Sequence, residues 1–199
     1  MKFVFVRHGE TFENKNNISQ GQSNSQLTPE GINQAKKVAE KLKDFKFDFV
    51  YSSDLDRTMD TCKEILVHHP DLEIKKEKIL REQAKGICEG MTIKEKDKLI
   101  SDSGLPYEKW KPEGGESLEE VWNKIVPFFE SLTDKHSEKD NVLVVGHGGS
   151  LSCVFAAMGK KPIKDFLDFL PRQNTAVSIL NIENGLSKFE VLNDASHLE

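Results

Sequence analysis

Two short apolar runs in this chain each stop at a histidine followed by glycine. The first, Lys2-Phe3-Val4-Phe5-Val6, leads directly into Arg7-His8-Gly9-Glu10-Thr11; the second, Val142-Leu143-Val144-Val145, leads into Gly146-His147-Gly148-Gly149. Short apolar runs bounded in this way read as buried strands, and open α/β sheets keep their ligand sites at the carboxyl ends of such strands. The pair points to an architecture that delivers two imidazoles and a guanidinium to one end of a sheet. A lone histidine is ordinarily a satisfied core residue or a surface site. His68, His69, His136 and His197, in polar helix ends or the tail, are assigned there. His8 and His147 differ because each follows a strand and precedes a glycine, and glycine permits close backbone approach to a ligand.

At 199 residues the chain is long enough for one well-buried core and short for two ordinary domains, so a single domain is expected. No apolar stretch approaches the roughly 20 residues of a membrane span. The amino-terminal apolar run is too short for a signal peptide and enters the candidate site at once. A soluble, cytoplasmic protein is expected. Cys62, Cys88 and Cys153 are odd in number and share no metal-ligand spacing, which favours reduced thiols, with Cys62 and Cys153 as core fillers. The net charge of −5 argues against nucleic acid as a partner but leaves a small anionic ligand open, because a pocket follows local charge. Of 28 cationic residues only four are arginine, at positions 7, 57, 81 and 172. Arginine persisting at 7 and 57 in a lysine-rich chain fits bidentate recognition of a tetrahedral oxyanion.

Along the chain, Asn14 to Gln26 is polar and reads as a loop walling the site. Thr28-Pro29 caps a helix whose face is Ile32, Ala35, Val38, Ala39, Leu42 and Phe45. Phe47 to Ser52 reads as a strand, and Asp54 to His68 as a helix with Arg57 in its first turn, at the positive end of the dipole. Glu73 to Lys76 reads as a short edge strand. The stretch from Ala84 to Pro112 is irregular, with one short helix near Thr92 to Ser101. A long helix starts at Ser117 and is expected to kink at Pro127. A strand over Val142 to Val145 and a helix over about Ser150 to Met158 follow. The tail reads as a hairpin, Ala176 to Ile182 and Phe189 to Leu192, turned at Asn184-Gly185.

Five segments come in a recognisable order and spacing: RHGET at 7–11, Ser52-Ser53-Asp54-Leu55-Asp56-Arg57-Thr58, Leu80-Arg81-Glu82, Gly114-Gly115-Glu116-Ser117, and Val145-Gly146-His147-Gly148. Over nearly its whole length the chain resembles the histidine phosphatase superfamily, the phosphoglycerate mutase-like fold. The resemblance implies an α/β fold of three layers, α/β/α, with a mostly parallel central sheet and a small cap insertion at about 84–112. It implies that His8 is a nucleophile that becomes phosphohistidine and that Arg7, Arg57 and His147 surround the transferred group. Asn14 and Gln20 fit positions that donate further hydrogen bonds, and Glu82 matches the proton donor.

Phosphoryl transfer from a monoester needs these parts: an in-line nucleophile, cations on the oxygens and an acid for the leaving alkoxide. Two histidines with acidic neighbours can also ligate zinc, but no HxH or HExxH pattern is present and two arginines in the pocket would repel a cation. Metal-independent catalysis with no cofactor is expected. Gly9 and Gly148 are ordinary turn residues or points of close phosphate approach. Lys85, Lys109 and Lys111, clustered in the insertion, are expected to form a second basic site.

Mutases of the family typically carry a longer insertion between the acid and the second histidine, and here only 65 positions separate Glu82 from His147. Hydrolysis of small phosphorylated metabolites is therefore expected over a cofactor-dependent mutase reaction. Gly86-Ile87-Cys88-Glu89-Gly90-Met91-Thr92, Gly115-Glu116-Ser117 and Gln20-Gly21-Gln22 resemble the TIGAR-type fructose-2,6-bisphosphatases. Lys85 departs from the aromatic or small residue expected before Gly86. A non-enzymatic phospho-ligand-binding protein is the alternative from another class, and such proteins should have lost one of the five central residues. Oligomeric state is not written in the sequence.

Overall fold

The computed structural model describes residues 1–199. Strand β1 (Lys2–Arg7) is followed by a one-turn helix α1 (Phe12–Lys15), helix α2 (Pro29–Leu42), strand β2 (Phe49–Ser52), helix α3 (Asp56–Leu66) and edge strand β3 (Ile74–Lys76). Helix α4 (Ile93–Ser103), the long α5 (Leu118–Lys135), β4 (Asn141–Gly146) and α6 (Gly148–Met158) come next, and a hairpin of β5 (Val177–Glu183) and β6 (Leu186–Asp194) completes the fold. The six strands lie in the order β3-β2-β4-β1-β5-β6. The first four are mutually parallel, and β5 and β6 run antiparallel at one side.

Strand period 2 explains the layers. Phe3 and Phe5 of β1 and Val142 and Val144 of β4 join a core with Val121, Ile125 and Phe129 of α5 and Phe155 of α6. Val4 and Val6, with Leu143 and Val145, face the opposite way into a second core with Val38 and Leu42 of α2 and Cys62 and Ile65 of α3. Helices therefore cover both faces, which is why β1 and β4 read as continuous apolar runs. The Phe5 ring lies 5.3 Å from Phe129 and 5.0 Å from Phe155, so truncating it to alanine would cost about 3–5 kcal/mol.

Several boundaries differ from the sequence expectation for identifiable reasons. Residues 12–15 are helical because Thr11 and Asn14 form a reciprocal capping box. Helix α6 begins at Gly148, two residues early, with His147 as its N-cap residue. Pro127 lies inside helix α5, whose span is continuous from Leu118 to Lys135. The hairpin turn falls at Asn184-Gly185, whose φ values of 50° and 72° are those of a type I′ turn. His136 is a satisfied core residue, its Nε2 bonded to the Tyr51 hydroxyl at 2.9 Å. All three cysteines are free and buried, and burial pushes the Cys62 and Cys153 thiols up to about 12.

Candidate active site

Register builds the floor. Arg7 of β1 pairs with Gly146 of β4, so His8 and His147 emerge side by side, their ring centroids 5.3 Å apart, and the His8 amide donates to the Gly146 carbonyl at 3.0 Å. The His8 Nδ1 lies 2.8 Å from the Gly9 carbonyl oxygen. A carbonyl only accepts, so Nδ1 carries the proton and Nε2 keeps a free lone pair. Burial first, then the charges of Arg57 and Arg7, hold the His8 pKa well below the usual 6.5. The ring is thus neutral, with one unprotonated nitrogen, before any substrate arrives.

Arg57, in the first turn of α3, is almost wholly buried. Its Nη1 donates to the Ser23 carbonyl at 2.9 Å, its Nη2 to the Gly21 carbonyl at 2.8 Å, and its Nε to His147 Nδ1 at 3.2 Å. Burial lowers its pKa to about 10, which leaves it charged at neutral pH. Because His147 Nδ1 accepts, its Nε2 carries the proton and donates to Ser53 Oγ at 2.9 Å. Both His147 nitrogens are therefore engaged. His147 stands behind Arg57 and orients it, and it does not line the cavity beside His8. Arg7 Nη1 donates to the carbonyls of Pro171 and Arg172 at 2.9 and 2.6 Å, while its Nε is buried without a partner inside the protein. A buried unpaired donor on a cation is a strong anion-binding feature.

Opposite stands Glu82. Its Oε1 accepts from the Gln83 amide and its Oε2 from the Gly149 amide in the first turn of α6, both at 2.9 Å. A Cβ on Gly149 would lie 2.5 Å from Glu82 Oε1, so the carboxyl docks where only glycine leaves room. Arg81 makes a two-pronged ion pair with Asp54, at 2.6 and 2.7 Å, and its Nη1 donates to Gln22 Oε1 at 3.3 Å. Gln22 Nε2 in turn donates to the Glu82 carbonyl at 3.1 Å. The acid loop is thereby tied to the turn that leads into the Arg57 helix. Glu116 closes the other side, accepting from the Ala84 amide at 3.0 Å while its own carbonyl accepts from Gln83 Nε2 at 2.6 Å.

These groups surround a cavity of about 210 Å3. Asn14, Gln20, Gly21, Gly148 and Lys85 line it with Arg7, His8, Arg57 and Glu82. Asn14 Oδ1 accepts from the Thr11 amide and from Asn174 Nδ2, at 3.3 and 3.1 Å, leaving its amide nitrogen as the free donor end. Lys109 and Lys111 do not reach the cavity: both are exposed, and Lys111 pairs with Glu120 at 2.7 Å on the first turn of α5. In their place the cap contributes Lys96 and Tyr107, with Phe166, Leu167 and Leu170 completing a wall from residues 163–170. Ile93, Lys96 and Ile100 share one stripe of α4, the spacing that could have revealed Lys96.

A neutral imidazole, one buried and one half-buried guanidinium, and a carboxyl docked across from them can accept a phosphoryl group and protonate its leaving oxygen. Known proteins agree with that chemistry. The family model of the histidine phosphatase superfamily (branch 1) matches residues 3–195. The chain is 31% identical to phosphoglycerate mutase-like protein 4 of Arabidopsis thaliana, covering all of this chain and 87% of that protein. It is 38% identical to bovine (Bos taurus) fructose-2,6-bisphosphatase TIGAR over 64% of this chain and 48% of the relative. Among solved structures, a mycobacterial glucosyl-3-phosphoglycerate phosphatase complexed with VO3 superposes with a TM-score of 0.87 at 28% identity, over 98% of this chain and 99% of that one. No helix here is long and apolar enough to cross a membrane. The chain belongs to the histidine phosphatase superfamily, branch 1.

Proposed function

We propose that this protein hydrolyses phosphomonoesters of small metabolites through a phosphohistidine on His8, without a metal ion. The observation that carries the reading is the fixed tautomer of His8, with Nδ1–H held by the Gly9 carbonyl and Nε2 unprotonated, in a cavity that Arg7 and Arg57 also line. Nε2 attacks phosphorus and the P–O bond to the leaving group breaks, with Glu82 giving its proton to the departing alkoxide. Glu82, now a carboxylate, takes a proton from water as that water attacks phosphorus. The P–N bond breaks, and neutral His8 and inorganic phosphate are released. Arg7 and Arg57 hold the equatorial oxygens throughout, and His147 keeps Arg57 in line.

Metal independence is supported by the donor set: guanidiniums meet the phosphate charge, and no group of three or more His, Cys, Asp or Glu side chains converges anywhere in the fold. In this reading residues 84–112 form a cap on a single domain spanning 1–199. A cytoplasmic location suits three reduced cysteines. A fructose-2,6-bisphosphatase activity rests on the TIGAR likeness alone. A screen of phosphorylated metabolites that follows both released phosphate and phosphoryl transfer to a second position of the substrate tests the proposal. Phosphate released to water, abolished by His8→Ala, is expected; isomerised phosphoester without net phosphate release would make the protein a mutase.

A further inference from the structure

The segment 171–176, which leads into β5, forms no helix or strand, yet most of its polar groups turn toward the residues around His8. The carbonyls of Pro171 and Arg172 take Arg7 Nη1. The Thr175 amide donates to the carbonyls of Arg7 and His8, at 3.1 and 3.3 Å. Asn174 donates both hydrogens of its side-chain Nδ2, one to the His8 carbonyl at 2.9 Å and the other to Asn14 Oδ1 at 3.1 Å. Thr175 is buried and holds φ at 57°, a left-handed conformation that β-branched residues rarely adopt. Such a conformation persists where the surroundings over-determine it, and here Thr175 Oγ1 also meets His197 Nε2 at 3.0 Å.

The partners decide which end of each amide faces where. The Thr11 backbone amide can only donate, so the Asn14 atom in front of it is Oδ1, at 3.3 Å. The His8 carbonyl and Asn14 Oδ1 can only accept, so the end of Asn174 that reaches both is Nδ2. With two donors on it, Asn14 Oδ1 has both lone pairs occupied. Asn14 is left with Nδ2 alone for the cavity that it lines with Arg7, His8 and Arg57. A phosphate oxygen needs a donor, and the same side chain turned over would present an acceptor. The Thr11 bond is longer than the usual value of about 2.9–3.0 Å, so the bond from Asn174 is the firmer hold on that polarity. Asn174 stands outside the five segments that carry the family resemblance.

We infer that Asn174 is a positioning residue for the phosphate site: it holds Asn14 with its amide nitrogen toward the phosphate oxygens and pins the carbonyl of His8 beside it. The inference rests on the phosphatase reading above, which puts a phosphoryl group in the cavity, and adds to it a residue that acts through Asn14. Segment 171–176 thus does for Asn14 what His147 does for Arg57.

The test is a double-mutant cycle in affinity for inorganic phosphate. Calorimetry is run on the wild type, Asn174→Leu, Asn14→Ala and the double variant, with KM and kcat for nitrophenyl phosphate beside it. Leucine keeps the approximate shape of asparagine and removes its donors. Asn174→Leu is expected to weaken phosphate binding by about tenfold or more, the worth of one hydrogen bond to a charged oxygen. Once Asn14 is alanine, the same change should cost about twofold or less, because residues that act as one unit are not additive. A purely structural role would lower the melting temperature and leave the two losses additive. The wild type gives a reading that does not depend on the variants folding. Its Asn14 side-chain amide protons should shift in NMR spectra on saturation with phosphate, and those of Asn174, both bonded, should exchange slowly with solvent. Additive losses, unchanged phosphate affinity in Asn174→Leu, or freely exchanging Asn174 amide protons overturn the inference. Wild type that binds phosphate yet hydrolyses no phosphomonoester overturns the phosphatase reading alone, and no phosphate binding at all overturns both.

Discussion

Replacing Gly149 by alanine separates catalysis from stability. The new Cβ would stand 2.5 Å from Glu82 Oε1, with Cδ at 3.3 Å and Oε2 at 3.4 Å. Ordinary contact begins near 3.4 Å, so the carboxyl must withdraw by about 0.9 Å, and it can, because it is the free end of a flexible side chain. The backbone need not move. Helix α6 trades a glycine for the best helix former, worth up to about 1 kcal/mol, so the melting temperature should hold or rise by about 2–4 °C. Glu82, the proposed proton donor, is however displaced from its bond to the Gly149 amide. A misplacement of about 1 Å costs on the order of 100-fold in rate. That loss should fall on alkyl phosphates, whose alkoxide needs the proton, and spare nitrophenyl phosphate, whose leaving group does not. Glu82→Gln sets the ceiling of the same effect. The assay is kcat for both substrate types beside a thermal melt. Wild-type kcat on alkyl phosphates in Gly149→Ala would refute the placement of Glu82 as proton donor, as would equal losses on both substrates.

Further expectations concern stability, metal and the acid loop. His8 and His147 both have folded-state pKa values pushed well below 6.5 by burial, so as pH falls the unfolded chain takes up protons first. Stability should hold above about pH 6.5 and decline below it, these two residues together contributing a slope approaching about 2.7 kcal/mol per pH unit. His69, His136 and His197 shift in the same direction, so denaturant titrations of wild type and His8→Asn isolate the His8 share as a difference of slopes; identical slopes would contradict it. Activity should survive exhaustive chelation, and a loss restored by zinc or magnesium would overturn metal independence. Arg81→Met breaks the brace to Asp54 and Gln22 and should lower kcat on alkyl phosphates by about tenfold or more, leaving KM for nitrophenyl phosphate within about twofold. A rise in KM alone would make Arg81 a substrate contact.

The features legible in the sequence are those whose cause is local. Strands β1 and β4 announce themselves because burial on both faces demands unbroken apolar runs, and their adjacency puts His8 beside His147. Helix α2 shows its start through Thr28-Pro29, and the hairpin turn shows itself through Asn184-Gly185. Tertiary causes are hidden. Gly148-Gly149 discourages a helical reading, yet α6 starts there, and the missing side chain of Gly149 serves Glu82, 67 residues earlier. Thr11 and Asn14 turn a polar loop into a capped helical turn that also aims the Asn14 amide. Proximity in sequence misplaced Lys109 and Lys111, since the chain turns them outward and Glu120 captures one. Lys96 was hidden among the charged residues of α4, most of which do face water. The roles of His147 and Ser53 behind Arg57 depend on ring orientation, which no spacing encodes.

The central claim is that His8 Nε2 carries the phosphoryl group. The direct measurement is rapid quenching of enzyme turning over a phosphate-labelled monoester into alkali, followed by peptide mapping of the retained label. A phosphoramidate is stable in base and lost in acid. Alkali-stable, acid-labile label is expected on the peptide containing His8 and is expected to be absent in His8→Ala. Turnover with no trapped label at any quench time, or label that persists in His8→Ala, would contradict it.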